Sequence, residues 1–283
     1  MKIALSAEST IDLPKNLLEE YGISVLPYTV LLGEKSYLDG DITPDDIFEY
    51  VEETGILPKT SAINEYQYSE YFTKLREKYD AVIHITLSGK ITSSVEHAKN
   101  AAALLNNVYV VDSRSLSTGI ALLAIYARSL VNKGLDAEEI VEKLKKRRDN
   151  LQVSFVVNTL NYLHKGGRCS SLVHITAALL RIKPQILLKH GEMVTGKKYF
   201  GKNSNVVRSY CADVIEEFDN PDLSIAFVTH TSASPEMVEE AKQALIERGF
   251  TNIIETLAGA TITSHCGPKT IGILYFNDGG ITE

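Results

Sequence analysis

The stretch from Ala81 to Leu105 constrains this chain more than any other. Ala81 to Ile85 is a short run of mainly apolar residues, which predicts a buried strand. Val95, Ala98, Ala102 and Leu105 recur at helical spacing, which predicts a helix over Ser93 to Leu105 with one inward face. The loop between them carries Thr86, Ser88, Thr92, Ser93 and Ser94 around a single glycine, Gly89. A strand feeding a helix through such a loop leaves backbone N–H groups free at the helix start, and that end attracts anions. Hydroxyls crowded there can bind an oxyanion without adding charge. Ser93 therefore has two readings, a helix N-cap or part of an anion site.

The same alternation runs through the first half. Strands are expected over 2–7, 24–32 and 108–112, with a polar turn after Leu32 and an extended segment over 58–61. Helices are expected over 14–21, from Pro44 to Gly55, over 65–78, over 117–133, and from a capping box at Asp136 and Glu139 to about Arg148. This order points to an α/β layer with a mostly parallel sheet. The second half reads differently, as α+β. Strands are expected over 152–157, 182–188, 193–200, 224–229 and 270–276, the second and third as an antiparallel pair around Gly191. Helices are expected over 160–165, 206–218 and 235–248. The expected division is an N-terminal domain, 1–150, and a C-terminal domain, 151–283.

With 283 residues the chain can bury a substantial core, and no apolar run is long enough to span a bilayer. The apolar start is too short for a signal peptide and reads as a first strand. Three scattered cysteines, Cys169, Cys211 and Cys266, form no CxxC pair, which argues for a reducing, cytoplasmic setting and against a structural zinc site. The net charge of −7 is unevenly spread. Residues 141–210 hold fourteen Lys or Arg against three acids, +11, and the rest holds fifteen against thirty-three, −18. Such a segment reads either as a docking surface for an anionic partner or, at Lys143 to Arg148, as a solvated helix end. No nucleic-acid motif accompanies it.

Several chemistries lack their signatures. Leu87-Ser-Gly is no GxSxG elbow, and no Asp completes a triad with Ser88 or Ser93 and His265. Cys266 beside His265 reads as a poor pair, because neighbours on an extended chain point apart. Lys165-Gly-Gly-Arg168 has no phosphate-loop spacing. Asp12, Asp39, Asp41 and Asp112 read as helix caps and turn ties rather than a metal site.

Seven motifs in order carry a resemblance: Glu8-Ser-Thr-Ile-Asp-Leu-Pro14, Thr60-Ser61, Leu87-Ser-Gly-Lys-Ile-Thr-Ser93, Val110-Val-Asp-Ser113 with Ser117 and Gly119, His164-Lys-Gly-Gly-Arg168, Ile182-Lys-Pro184 and His265-Cys-Gly-Pro268. Over almost its full length the chain resembles the DegV family, whose best-understood members are the fatty-acid-binding subunits of bacterial fatty acid kinase. The resemblance implies a two-domain DegV-like α/β fold with a lipid tunnel between sheet and helices near the domain junction. It implies a long-chain fatty acid as ligand, no cofactor, no metal and no catalytic residue in this chain. The carboxylate is expected at Thr60, Ser61, Ser93 and His265, with Ser88 and Gly89 beside them. Arg168, with Lys202 as the weaker candidate, is expected to face a separate ATP-dependent kinase domain protein. The acyl phosphate would then pass to an acyltransferase at the membrane. Two other readings remain open here, an enzyme for a small carbonyl or acyl substrate and a lipid sensor.

The chain also departs from the pattern. Glu8 replaces an Asp, Ala62-Ile63-Asn64 replaces Gln-Pro-Ser, Lys90 replaces a Thr, and Lys269 replaces a Gly. The two lysines add positive charge near the expected head group.

Overall fold

The structure, a computed structural model, describes residues 1–168 and 182–280, so Cys169 lies outside it. The first half runs β1 (Ile3–Glu8), α1 (Lys15–Glu20), β2 (Ile23–Leu26), β3 (Thr29–Leu32), β4 (Lys35–Leu38), α2 (Pro44–Thr54), β5 (Lys59–Ser61), α3 (Glu65–Arg76), β6 (Ala81–Thr86), α4 (Ser94–Ala103), β7 (Val108–Asp112), α5 (Thr118–Asn132) and α6 (Ala137–Arg147). The second runs β8 (Leu151–Val156), α7 (Asn161–Gly166), β9 (Lys183–Lys189), β10 (Glu192–Tyr199), α8 (Asn203–Glu217), β11 (Ala226–Thr231), α9 (Pro235–Arg248), β12 (Ile253–Leu257), α10 (Ala260–Cys266) and β13 (Thr270–Phe276).

The first sheet has the order β2-β1-β6-β7 and is wholly parallel. Leu5 pairs with Ile23 on one side and Ile83 on the other. The two inner strands are buried at every residue, as a parallel sheet covered on both faces requires. The second sheet, β10-β9-β8-β13-β11-β12, is antiparallel except for β11 and β12. Helix α5, apolar on most of its surface, lies against β1 and β6 of the first sheet and β8 and β13 of the second. One core therefore contains Leu5 and Ile83, Ile120 and Leu123, and Phe155 and Leu274. The stripes of α8 (Val207, Tyr210, Val214) and α9 (Met237, Ala241, Leu245) close a second core on the outer face. The capping box expected for α6 is formed by Asp136 with Glu139, and Thr43 forms another with Asp46 at the start of α2.

Four expectations change. The single strand over 24–32 is two strands in different sheets. Pro27 has no N–H to continue a ladder, so the chain turns at Pro27-Tyr28. β3 then pairs with β4 and β5 in a small antiparallel sheet. β4 and β12 had no expected counterpart. The loop expected around His265 is helix α10, which makes the extended-neighbour argument for Cys266 inapplicable. The Cys266 thiol is instead disabled by burial, which pushes its pKa up to about 12.

The basic segment is also no single free surface. Lys197 pairs with Asp213, Lys202 with Glu236, and Arg208 with Glu240. Arg147 is not a solvated helix end but is 8% exposed. No helix among the described residues is long and apolar enough to cross a membrane.

Candidate functional site

The hydroxyl loop leaves β6 at its carboxyl end, where open α/β sheets form their crevices. Glu8, at the same end of neighbouring β1, organises it. Its buried carboxylate accepts from the Tyr68 hydroxyl, from Leu87 N–H at 2.7 Å and, at 3.4 Å, from the Tyr28 hydroxyl. The Tyr28 hydroxyl also lies 2.9 Å from Ser94 Oγ and 3.2 Å from Thr92 Oγ1. Ser94 Oγ accepts from Ile63 N–H at 3.2 Å, tying the loop to the chain just after β5. The hydroxyls thus divide into two groups. Ser88 and Ser94 are buried builders, with Ser88 donating to the Gly191 carbonyl at 2.7 Å, whereas Thr92 and Ser93 line a cavity.

Helix α10 closes the other side, and two carboxylates hold its start. Asp12 accepts from Gly259 N–H and Asp39 from Ala260 N–H, each at 2.8 Å. These bonds satisfy donors that a helix start leaves free. A Cβ at position 259 would sit 2.9 Å from Asp39 Oδ1 and 3.1 Å from Asp12 Oδ1, so a larger residue there would have to displace these carboxyl groups. Burial pushes the Asp12 carboxyl up to about 8, against hydrogen bonds from Ser117 and Gly259. Asp12, Asp39 and Asp112 are ties, as expected, with Asp112 accepting from Gly89 N–H at 3.3 Å and Arg114 N–H at 2.9 Å. No acid, His or Cys cluster able to hold a metal ion occurs among the described residues.

His265 sits on the last turn of α10, and its Nε2 lies 2.8 Å from Thr60 Oγ1, across 205 residues of chain. Burial, with the charge of Arg168, lowers its pKa to about 4, so the ring is neutral near pH 7. Its Nδ1 is buried without a partner among the described residues. The Gly166 backbone packs against that edge, where a Cβ would come within 2.7 Å of Nδ1.

Thr60, Gly89, Ser93 and His265 line one cavity of about 370 Å³, within the range of roughly 300–1,000 Å³ typical of small-molecule sites. Leu87, Ile91, Leu116, Leu163, Met193 and Ile262 supply its apolar wall. A second cavity of about 30 Å³ shares Leu116, Ile262 and Cys266 with it and reaches Phe155 and Leu274 of the second sheet. Lys90 and Arg168 line the first cavity at exposed positions, and the Arg168 guanidinium donates to the Gly166 carbonyl at 2.6 Å.

Two expected carboxylate ligands are not on this wall. Ser61 is exposed and donates to the Ala62 carbonyl, because side chains alternate along β5 and Thr60 takes the inner face. Ser88 is engaged by Gly191. Lys202 is exposed beside Glu236, and Lys269, in the left-handed region, donates its N–H to the Thr231 carbonyl. Thr92 of the hydroxyl loop lines the cavity, and Tyr28 and Thr261 do so without having been expected there. The Pro27 break was the available signal for Tyr28. Thr261 carries none.

A pH prediction follows from Glu8. Burial raises its pKa from 4.5 to about 7, against the bonds from Tyr68, Leu87 and Tyr28. The folded chain then holds a proton between those values that the unfolded chain releases, so this group's contribution to stability falls as pH rises from 4.5 to 7. The loss is roughly 3 kcal/mol. Relative to wild type, Glu8→Gln should gain stability across this window, measured by urea unfolding at several pH values. Parallel pH curves for the two proteins would contradict it.

Comparison with known proteins places this geometry. The sequence profile of the family described as "Uncharacterised protein, DegV family" matches residues 2–278. A fatty acid-binding protein of Thermotoga maritima is 28% identical over 281 residues, covering 96% of both chains. The structure of a DegV family protein from Thermus thermophilus, described for its fatty acid binding, superposes with a TM-score of 0.90 at 28% identity, covering 98% of this chain and 99% of that one. A stearic acid-binding protein of Eubacterium ventriosum superposes with a TM-score of 0.83 at 27% identity, covering 98% of each. With its mixed α/β fold shared and its sequence matched almost end to end, this chain belongs to the DegV family.

Proposed function

We propose that this chain binds a long-chain fatty acid in the 370 Å³ cavity and presents its carboxyl group to a separate ATP-dependent kinase domain protein. The observation that carries the reading is the Thr60–His265 pair in a cavity that also offers the apolar side chains of Leu87, Ile91, Leu116, Leu163, Met193 and Ile262. A polar end of neutral donors beside an apolar wall matches an amphiphile with one small polar head. Thr60, Ser93 and the backbone at Gly89 hold the carboxyl group. With its proton on Nε2, His265 donates to Thr60 and leaves the Thr60 hydroxyl free to donate onward. Neutral donors meet the head's hydrogen-bonding needs and leave an oxygen available for phosphorylation.

In this reading the chain performs no chemistry itself and needs no cofactor. It works in the cytoplasm and afterwards carries the acyl phosphate to a membrane acyltransferase. Arg168, exposed on the solvent-facing side of the cavity near His265, meets the kinase, and Lys202 has the lesser role.

Native mass spectrometry of the purified protein should show a bound mass in the range of a fatty acid. Thr60→Val and Ser93→Ala should each weaken binding by roughly 1–3 kcal/mol. Unchanged affinity in both would refute this placement of the head. Purified protein alone should hydrolyse no ATP and form no acyl phosphate.

A further inference from the structure

We propose that Thr261 supplies a further hydroxyl to the ligand's carboxyl group, holding the oxygen opposite the one at Thr60. This rests on the fatty-acid reading and adds a residue to it. Thr261 is 4% exposed, it lines the same cavity, and its Oγ1 is buried with no hydrogen-bond partner among the described residues. Its neighbours on α10 behave otherwise. Thr263 Oγ1 donates to the Ala258 carbonyl at 3.3 Å, and Ser264 Oγ to the Ala260 carbonyl at 2.7 Å. A hydroxyl left unpaired in an apolar wall is costly, and valine would fill the same space without that cost.

The position of Thr261 indicates its partner. It stands four residues before His265, so the two share one face of α10 with Cβ atoms about 5–6 Å apart. Thr60 lies within hydrogen-bond distance of His265 and lines the same cavity as Thr261, so one carboxyl oxygen can be held by Thr261 and the other by the Thr60 hydroxyl that His265 orients. Threonine in a helix divides between two rotamers, one of them set by bonding back to the preceding turn. Thr261 makes no such bond here and is free to turn its hydroxyl toward the ligand.

The test is titration of delipidated protein with palmitate and with 1-hexadecanol, which lacks the second oxygen. Thr261→Val should bind palmitate roughly tenfold more weakly than wild type. Its affinity for hexadecanol should not change. Thr261→Ser, which keeps the hydroxyl, should stay within about threefold of wild type for palmitate. The ligand-free Thr261→Val variant should melt no lower than wild type, since no existing bond is removed. Unchanged palmitate affinity in Thr261→Val, an equal loss in Thr261→Ser, or a lower melting temperature would each overturn the inference. Wild type that fails to bind palmitate at all would overturn the fatty-acid reading itself, and this inference with it.

Discussion

Shortening a sixteen-carbon acid to eight carbons should weaken its binding by about 6 kcal/mol, roughly ten-thousandfold or more. The expectation follows from the cavity wall, where Leu87, Ile91, Leu116, Leu163, Met193 and Ile262 offer carbon surface and no specific bond. Each methylene moved from water onto such a wall contributes about 0.8 kcal/mol, or close to fourfold in affinity. No single hydrogen bond at the head is worth as much as the whole tail. Titration with saturated acids of eight to eighteen carbons would show a logarithmic rise that flattens once the tail fills the space. A profile flat from eight carbons upward would argue instead for an enzyme site reading a small acyl group, because such a site takes its affinity from the reacting end.

The largest effect on stability is expected at Arg147. Its guanidinium donates to Asp278 at 3.0 Å and to Asp222 at 2.6 Å, and it lies over the rings of Tyr126 and Phe276 at 4.6 and 3.8 Å. These contacts join the end of α6 to the segments that follow α8 and β13. Arg147→Ala would leave two largely buried carboxylates without their partner, at a cost of about 3–5 kcal/mol. Thermal melting should fall by roughly 10 °C. Arg147→Lys should recover only part of this, since it keeps the charge but loses the planar fork and the stacking. The loss should persist in high salt, because a buried pair is poorly screened. A change below 1 kcal/mol in Arg147→Ala would show that the pair contributes little.

The two predictions draw on different kinds of information. The apolar runs of β6 and β13 and the stripes of α8 and α9 could be read from residue order, because strand and helix periodicities are local. The box at Asp136 could be read for the same reason, since it spans only four residues. The hydroxyl loop was legible as a candidate site because strand, small residues and helix are contiguous.

Arg147 shows where local reading stops. By position it is one cation in a basic helix end, and only the segments that fold back over it supply its acids and rings. Thr60 and Ser61 show the same limit. Both fit the motif, but the pairing of β5 with β3 decides which of them faces inward. The seven residues of α10 offer too short a pattern to distinguish a helix from a loop, and its start is held by Asp12 and Asp39 from more than two hundred residues away.

Sequence alone therefore determined the alternating elements, the α/β class and a short list of polar residues able to receive a carboxylate. The tertiary structure decided which of those hydroxyls share a wall, that His265 stands behind Thr60, and that Thr261 is buried beside them with no hydrogen-bond partner among the described residues. The reason is physical. Periodicity and capping depend on neighbours a few residues apart, whereas burial and the pairing of distant polar groups exist only once the sheets and α5 have packed.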